Sequence, residues 1–217
     1  KLILENNEYE LPIVEGSEGE KAIDITTLRN LTGCITLDPG YGNTGSCVSN
    51  ITFINGEEGI LRYRGYPIEE LSKDELFPDV SYLLIYGELN DDSQNSITRD
   101  DFKNLIRKHA NIHEDMKRFF DGFPLSAHPM AILSSMVTAL SAFTPESGGD
   151  SLDSIDKNIA KLLARVKTIA AYSYRKSHGL PFIYPDNNLS YVDNFLHMMF
   201  SDSEEEYHGD PIMSEAL

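Results

Sequence analysis

Six histidines (His109, His113, His128, His178, His197 and His208) and two cysteines (Cys34 and Cys47) are the side chains here best suited to acid–base, nucleophilic or metal chemistry. His109 and His113 stand four apart, the spacing at which two imidazoles share a helix face, and Glu114 follows directly. A zincin helix carries a glutamate between its histidines and draws a third ligand from elsewhere. This stretch has neither, so surface or packing roles outweigh a metal site. His128 precedes Pro129 at a helix start and is read as fixing the loop there. His197, among Phe195, Leu196, Met198 and Met199, reads as an interface or core-edge residue. No Gly-x-Ser-x-Gly elbow occurs, and neither cysteine has a helix N-terminus or basic neighbour to favour its thiolate. The glycine-rich stretch from Asp38 to Ser46 is followed by no dinucleotide or Walker pattern, so it reads as a structural loop. Residue chemistry alone assigns no catalytic site and no metal.

Charge narrows the partners. The 217 residues carry 35 acids against 18 lysines and arginines, a net charge of −17, which argues against nucleic acid or an anionic membrane as the main partner. The basic residues gather in two segments. One holds Arg99, Lys103, Arg107, Lys108, Lys117 and Arg118; the other holds Lys157, Lys161, Arg165, Lys167, Arg175 and Lys176. Local anion binding therefore stays open on an acidic chain. Two cysteines without a Cys-x-x-Cys suit a reduced, cytoplasmic protein with ordinary thiols. No apolar run is long enough for a membrane span and no leader-like start is seen, although the chain begins at Lys1 and not at Met.

The elements that must position these residues change character at Ile51–Leu71. Asn55-Gly56-Glu57-Glu58-Gly59 predicts a hairpin turn, its second arm running through Arg62 and Arg64 to Gly65, and Pro67 opens a helix. Before it, strands are expected in Lys1–Val14 (turning at Asn6-Asn7), at 22–25 and at Gly33–Leu37, with a helical turn over Thr27–Leu31. After it, helices are expected over Asp79–Leu89, from Thr98, through Met116 to Gly122, over Pro129–Phe143, over Ser154–Lys176, from Ser190 to Phe200, and from Asp210-Pro211. The Pro129–Phe143 helix is expected to bury Met130, Leu133, Met136, Val137 and Leu140. The Ser154–Lys176 helix is expected to bury Ile155, Ile159, Leu162, Leu163, Val166, Ile169, Ala170 and Tyr174. Ser147–Ser151 is expected to be a loop. The last helix reaches Leu217 without a cap, so the sequence reads as cut.

Several stretches together resemble the citrate synthases. They are Phe53–Leu61 followed by Arg64-Gly65-Tyr66-Pro67-Ile68, Leu37-Asp38-Pro39-Gly40, Thr44–Thr52, Ile112-His113-Glu114, His128-Pro129-Met130-Ala131, Pro181–Pro185, Ser190-Tyr191 and Asn194–Phe200. The β-rich start resembles the bacterial type II enzymes. The resemblance implies a mainly α fold, a multihelical large domain with a small N-terminal β-rich region. Residues 1–66 would form that region and 67–217 the first part of the large domain. The activity implied is condensation of acetyl-CoA with oxaloacetate and water to give citrate and CoA, in a bacterial cytoplasmic homodimer or hexamer that needs no metal. A 2-methylcitrate synthase and a non-catalytic helical assembly module are the alternatives.

In that family the first histidine-bearing motif, His-x-Asp-His-Glu, is expected just beyond Leu217, with the catalytic aspartate, arginines and CoA segment further on. No catalytic or cofactor-binding residue is therefore carried over, and the 217 residues alone are expected to be inactive. The resemblance does imply one regulatory site, the NADH site of some type II members. Lys108 and His109 fall where that site has an arginine and a histidine, and Lys161 and Arg165 where it has two more basic residues. Asn111, Thr144 and Glu204 depart from the Met, Tyr and Cys of that pattern. Solvated helix faces with basic residues four apart are the competing reading.

Overall fold

The computed structural model describes residues 1–90, 96–144, 151–202, 207 and 209–217, with the backbone alone at 153. Packing divides the chain into two units, 1–50 and 51–217.

The first unit holds two short hairpins and one helix. Strands β1 (Leu2–Leu4) and β2 (Asn7–Tyr9) pair with Leu4 opposite Asn7. The turn is Glu5-Asn6, at φ 48° and 71°, one residue before the expected position. Both turn residues are left-handed, the conformation whose twist suits a two-residue hairpin, and that register leaves Asn7 in the strand. β3 (Ile13–Glu15) pairs with β4 (Lys21–Ile23). Helix α1 (Leu28–Thr32) ends on Gly33, which at φ 74° donates its N–H to Arg29 O. The strand expected over Gly33–Leu37 does not form. Gly33 is consumed as the helix cap, and Ile35 and Leu37 are 71% and 88% exposed with no paired strand among the described residues. The Asp38 carboxylate accepts from the Gly42 and Asn43 amides and the Thr44 hydroxyl, which makes that stretch the structural loop expected.

In the second unit β5 (Thr52–Asn55) and β6 (Ile60–Tyr63) form the expected hairpin. The Asn55 side chain accepts from the Glu57 and Glu58 amides, and Gly59 supplies the left-handed residue. A second reversal follows that the sequence reading had missed. Arg64 and Gly65, at φ 51° and 91°, turn β6 back onto β7 (Tyr66–Pro67). Helix α2 (Ile68–Asp74) then starts, with Pro67 as its N-cap. Arg64 Nη2 donates to Leu84 O, 2.8 Å away, in the last turn of α3 (Phe77–Tyr86), which Gly87 closes at φ 96°. This bond and the β6–β7 ladder tie the hairpin to the helices that follow it.

The remaining helices among the described residues are α4 (Arg99–Lys108), α5 (Glu114–Asp121), α6 (Pro129–Ala139, with a 3-10 turn over Leu140–Phe143), α7 (Leu152–Ser177), α8 (Tyr191–Phe200) and α9 (Pro211–Ala216). Their starts follow ordinary capping chemistry. Thr98, Ser151, Ser190 and Asp210 each accept a backbone N–H through a side-chain oxygen. Of the expected 147–151 loop, only Ser151 lies within the described residues. α7 is the axis, packing against α4, α6 and α8. Of the expected apolar face Ile169 is buried and Ile159 and Leu163 pack against the core, but the line at the α4 seam is another one. Asp156, Ala160, Ala164, Thr168 and Tyr172, four apart, are buried, whereas Leu162 is 51% exposed and Ile155 is also exposed. Small residues let α4 approach closely, so the burial follows the seam and not residue size. On α6 the buried line is Ile132, Met136 and Leu140, and Met130 faces solvent. Two apolar clusters result. Tyr82, Phe102 and Ile106 meet Ala160 and Ala164; Met116, Phe120, Ile132 and Met136 meet Ile169, Tyr172 and Met198.

Candidate functional site

The two basic segments meet where α4 ends against α7. Thr98 caps α4, whose buried Phe102 and Ile106 seat it on Ala160 and Ala164. The α4 helix stops at His109, whose N–H is shared between Leu105 O and Ile106 O. The next carbonyl, Ala110 O, accepts a 2.6 Å hydrogen bond from the buried Thr168 hydroxyl. That bond pins the end of α4 to the middle of α7. Lys157, Lys161 and Arg165, spaced by four along α7, thereby come alongside Lys108 and His109.

Electrostatics report this gathering. Burial, then the charges of Lys161, Arg165, Lys108 and Lys157, hold the His109 imidazole below its ordinary value. Burial also lowers Arg165, whose Nε is buried without a hydrogen-bond partner among the described residues. Among those residues no carboxylate pairs with Lys108, Lys161 or Arg165. The nearby acid Asp156 is engaged elsewhere, accepting from the Tyr86 and Ser96 hydroxyls at 2.6 Å each. Behind the cluster Lys167 is buried, its Nζ 3.3 Å from Tyr191 O and 4.3 Å above the Tyr191 ring. Burial, followed by Arg107, brings its pKa down to about 8. Lys108, Lys161 and Arg165, without a carboxylate partner among the described residues, stand beside the His109 imidazole and form a surface complementary to a phosphate or carboxylate. All four residues expected at the regulatory site, Lys108, His109, Lys161 and Arg165, therefore share one locality. Of the departures from that pattern, Asn111 and Thr144 are described, and Glu204 lies outside the described residues.

The other histidines do not converge. His109 ends α4 and His113 caps α5, so the two never share a helix face as their spacing had suggested. His128 does fix its loop, its Nδ1 accepting the Met130 N–H at 3.2 Å. His178 caps the C-terminus of α7, with Nδ1 2.9 Å from Tyr174 O. His208 lies outside the described residues. One pair escaped the sequence reading: Ser201 Oγ stands 2.8 Å from His197 Nδ1 at the end of α8. Its only sequence signal is an i, i+4 spacing, and no carboxylate hydrogen-bonds to His197 among the described residues to complete a triad. Arg175, buried nearby, spends its donors on three backbone carbonyls, Pro181, Met199 and Ser201, and acts as a tie between the ends of α7 and α8. Among the described residues no three His, Cys, Asp or Glu side chains gather as a metal site would need. Among the described residues no helix is long and apolar enough to cross a membrane.

Comparison with known proteins bears on the family of the chain. The family described as "Citrate synthase, C-terminal domain" matches residues 40–217. Citrate synthase 1 of Mycobacterium tuberculosis is 48% identical over 215 residues, 97% of this chain and 48% of that protein. Citrate synthase of Corynebacterium glutamicum is 45% identical, again over 97% of this chain and 47% of its own length. Among solved structures, citrate synthase from Pyrobaculum aerophilum superposes with a TM-score of 0.67 at 29% identity, covering 96% of this chain and 48% of that one. The enzyme from Thermotoga maritima gives 0.62 at 25% identity, covering 80% and 43%. The chain thus spans about half the length of the curated relatives it matches. A shared family over this much sequence, on a mainly helical scaffold of the same kind, leads to one conclusion: the chain belongs to the citrate synthase family.

Proposed function

We propose that these 217 residues are the N-terminal part of a bacterial type II citrate synthase, the whole of which condenses acetyl-CoA with oxaloacetate and water to give citrate and CoA. The observation that carries this reading is the 45–48% identity to two curated citrate synthases over 97% of the chain. Residues 1–66 form the β-rich region of that enzyme and 67–217 the opening of its large domain, in a cytoplasmic homodimer or hexamer. The chemistry is acid–base and electrostatic, moving a proton from the acetyl methyl and stabilising an enol and an alkoxide. On this reading the 217 residues alone do not turn over. The test follows CoA thiol release with acetyl-CoA and oxaloacetate. The full-length protein releases thiol and the 217-residue chain does not; turnover by the short chain overturns the assignment of inactivity. Propionyl-CoA preferred over acetyl-CoA by the full-length protein would establish 2-methylcitrate synthase instead.

The cation cluster supports a second role for the same enzyme, binding of NADH phosphates by Lys108, His109, Lys161 and Arg165. Arg165 and Lys161 supply charge, and the α4 terminus holds His109 beside them. NADH titration of the full-length enzyme is expected to change its activity and nucleotide fluorescence, and Arg165→Ala to weaken binding at least ten-fold. No response of the unmodified enzyme would remove this role and leave a solvated basic face.

A further inference from the structure

Two helix starts in the second unit are made by imidazole nitrogens, where the neighbouring helices α4, α7, α8 and α9 use Thr98, Ser151, Ser190 and Asp210. His113 Nδ1 accepts the Asp115 N–H at the start of α5, and His128 Nδ1 accepts the Met130 N–H at the start of α6, both at 3.2 Å. A backbone N–H can only donate, so each Nδ1 must be bare and the neutral ring must carry its proton on Nε2. Hydroxyl and carboxylate caps go on accepting through neutral and mildly acidic pH. An imidazole cap does not.

We propose that His113 and His128 make the α5–α6 pair an acid-released fastening, in which proton uptake at Nδ1 withdraws the acceptor that holds each helix start. A protonated Nδ1 turns a second donor toward the backbone N–H, and the ring's new charge meets the positive end of the helix. Both terms act against the closed start once the ring has taken up a second proton.

The surroundings make the two caps unequal. His113 is faced from its own helix by Asp115, Oδ2 3.8 Å from Nδ1, and by Glu114, which Lys117 already pairs at 3.0 Å and the Tyr184 hydroxyl contacts. From the 3-10 turn it is faced by the uncharged Phe143 ring, with centroids 5.4 Å apart. A protonated His113 is therefore recaptured by Asp115. His128 forms no ion pair among the described residues, so nothing replaces the bond it loses. Both rings are exposed, so a proton reaches them without opening of the core. Release stops at the first turn, because Met116 and Phe120 of α5 and Ile132 and Met136 of α6 stay locked in the apolar cluster. His178 sits at the other pole of a helix, its Nδ1 donating to Tyr174 O at the C-terminus of α7.

The test reads imidazole 15N shifts and amide hydrogen exchange on the protein between pH 7.5 and 5.5. At pH 7.5 His113 and His128 are expected to show bare Nδ1 and protonated Nε2. The protection factor of the Met130 amide is expected to fall about five-fold on acidification, and that of Asp115 by less. In His128→Asn, an oxygen cap that does not titrate, Met130 protection is expected to stay level. A protonated Nδ1 at pH 7.5, unchanged Met130 protection in the unmodified protein, or the same fall in His128→Asn would each overturn the proposal.

Discussion

Lys167 offers a direct measurement of what the α4–α7–α8 junction costs. The side chain is 5% exposed, has no carboxylate partner among the described residues, and is held by one carbonyl and one aromatic ring. Lowering a lysine from 10.5 to about 8 corresponds to roughly 3 kcal/mol of opposition to its charge at pH 7. The unfolded chain holds this proton up to the ordinary lysine value, while the folded chain releases it from about 8. Between those limits the unfolded state binds more protons, so stability rises with pH, by about 2 kcal/mol from pH 7 to 9.5. Tyr86, Tyr172 and Tyr191 are pushed up by burial and act in the other direction above about pH 10, which sets the upper end of the window. Lys167→Met keeps the aliphatic volume and removes the charge. At pH 7 it forfeits about 1 kcal/mol each for the Tyr191 carbonyl and ring contacts but escapes the burial penalty, for a net gain of about 1 kcal/mol. Urea unfolding of both proteins at half-unit pH steps gives the comparison. A rise in the unmodified protein that is absent from Lys167→Met is the expected result; parallel curves from pH 7 to 9.5 would refute the reasoning.

Arg175→Met strands the carbonyls of Pro181, Met199 and Ser201 in a buried site. It should lower stability by about 3–5 kcal/mol, read as a shifted denaturation midpoint with an unchanged slope. Ala164→Leu forces a large side chain into the α4–α7 seam beside Phe102 and Ile106. It should cost about 1–3 kcal/mol, visible in thermal unfolding, whereas Leu162→Ala on the exposed side should cost under about 1 kcal/mol.

Cap chemistry was legible because it is local. Thr98, Ser190 and Asp210-Pro211 each announce a helix within four residues, and the structure closes all three as expected. Position along a helix face was less legible. Following large apolar residues on α7 led to the buried Ile169 but also to the exposed Ile155 and Leu162, and missed the seam of Ala160, Ala164 and Thr168, because the neighbour's approach decides which face is covered. The strand expected at Gly33–Leu37 failed for a related reason, since strand propensity without a partner strand makes no ladder. Arg64 carried no local sign that it would turn left-handed and tie itself to Leu84. The basic cluster was visible as two separate charged segments. Their meeting depends on the Thr168–Ala110 bond across 58 residues, a tertiary fact that charge runs do not encode.

The order in which a ribosome delivers this chain gives α7 a further consequence. Phe102 and Ile106 of α4, and Ile132 and Met136 of α6, bury themselves against residues 160–172. Both helices leave the ribosome before that surface exists. Until α7 has been synthesised, α4 and α6 have no axis to close on and present their apolar faces to water. Within these 217 residues the nascent chain is thus most prone to association over the stretch of translation between α6 and the end of α7. That is the interval in which a chaperone has most to cover, and a slow codon run placed there lengthens the exposure.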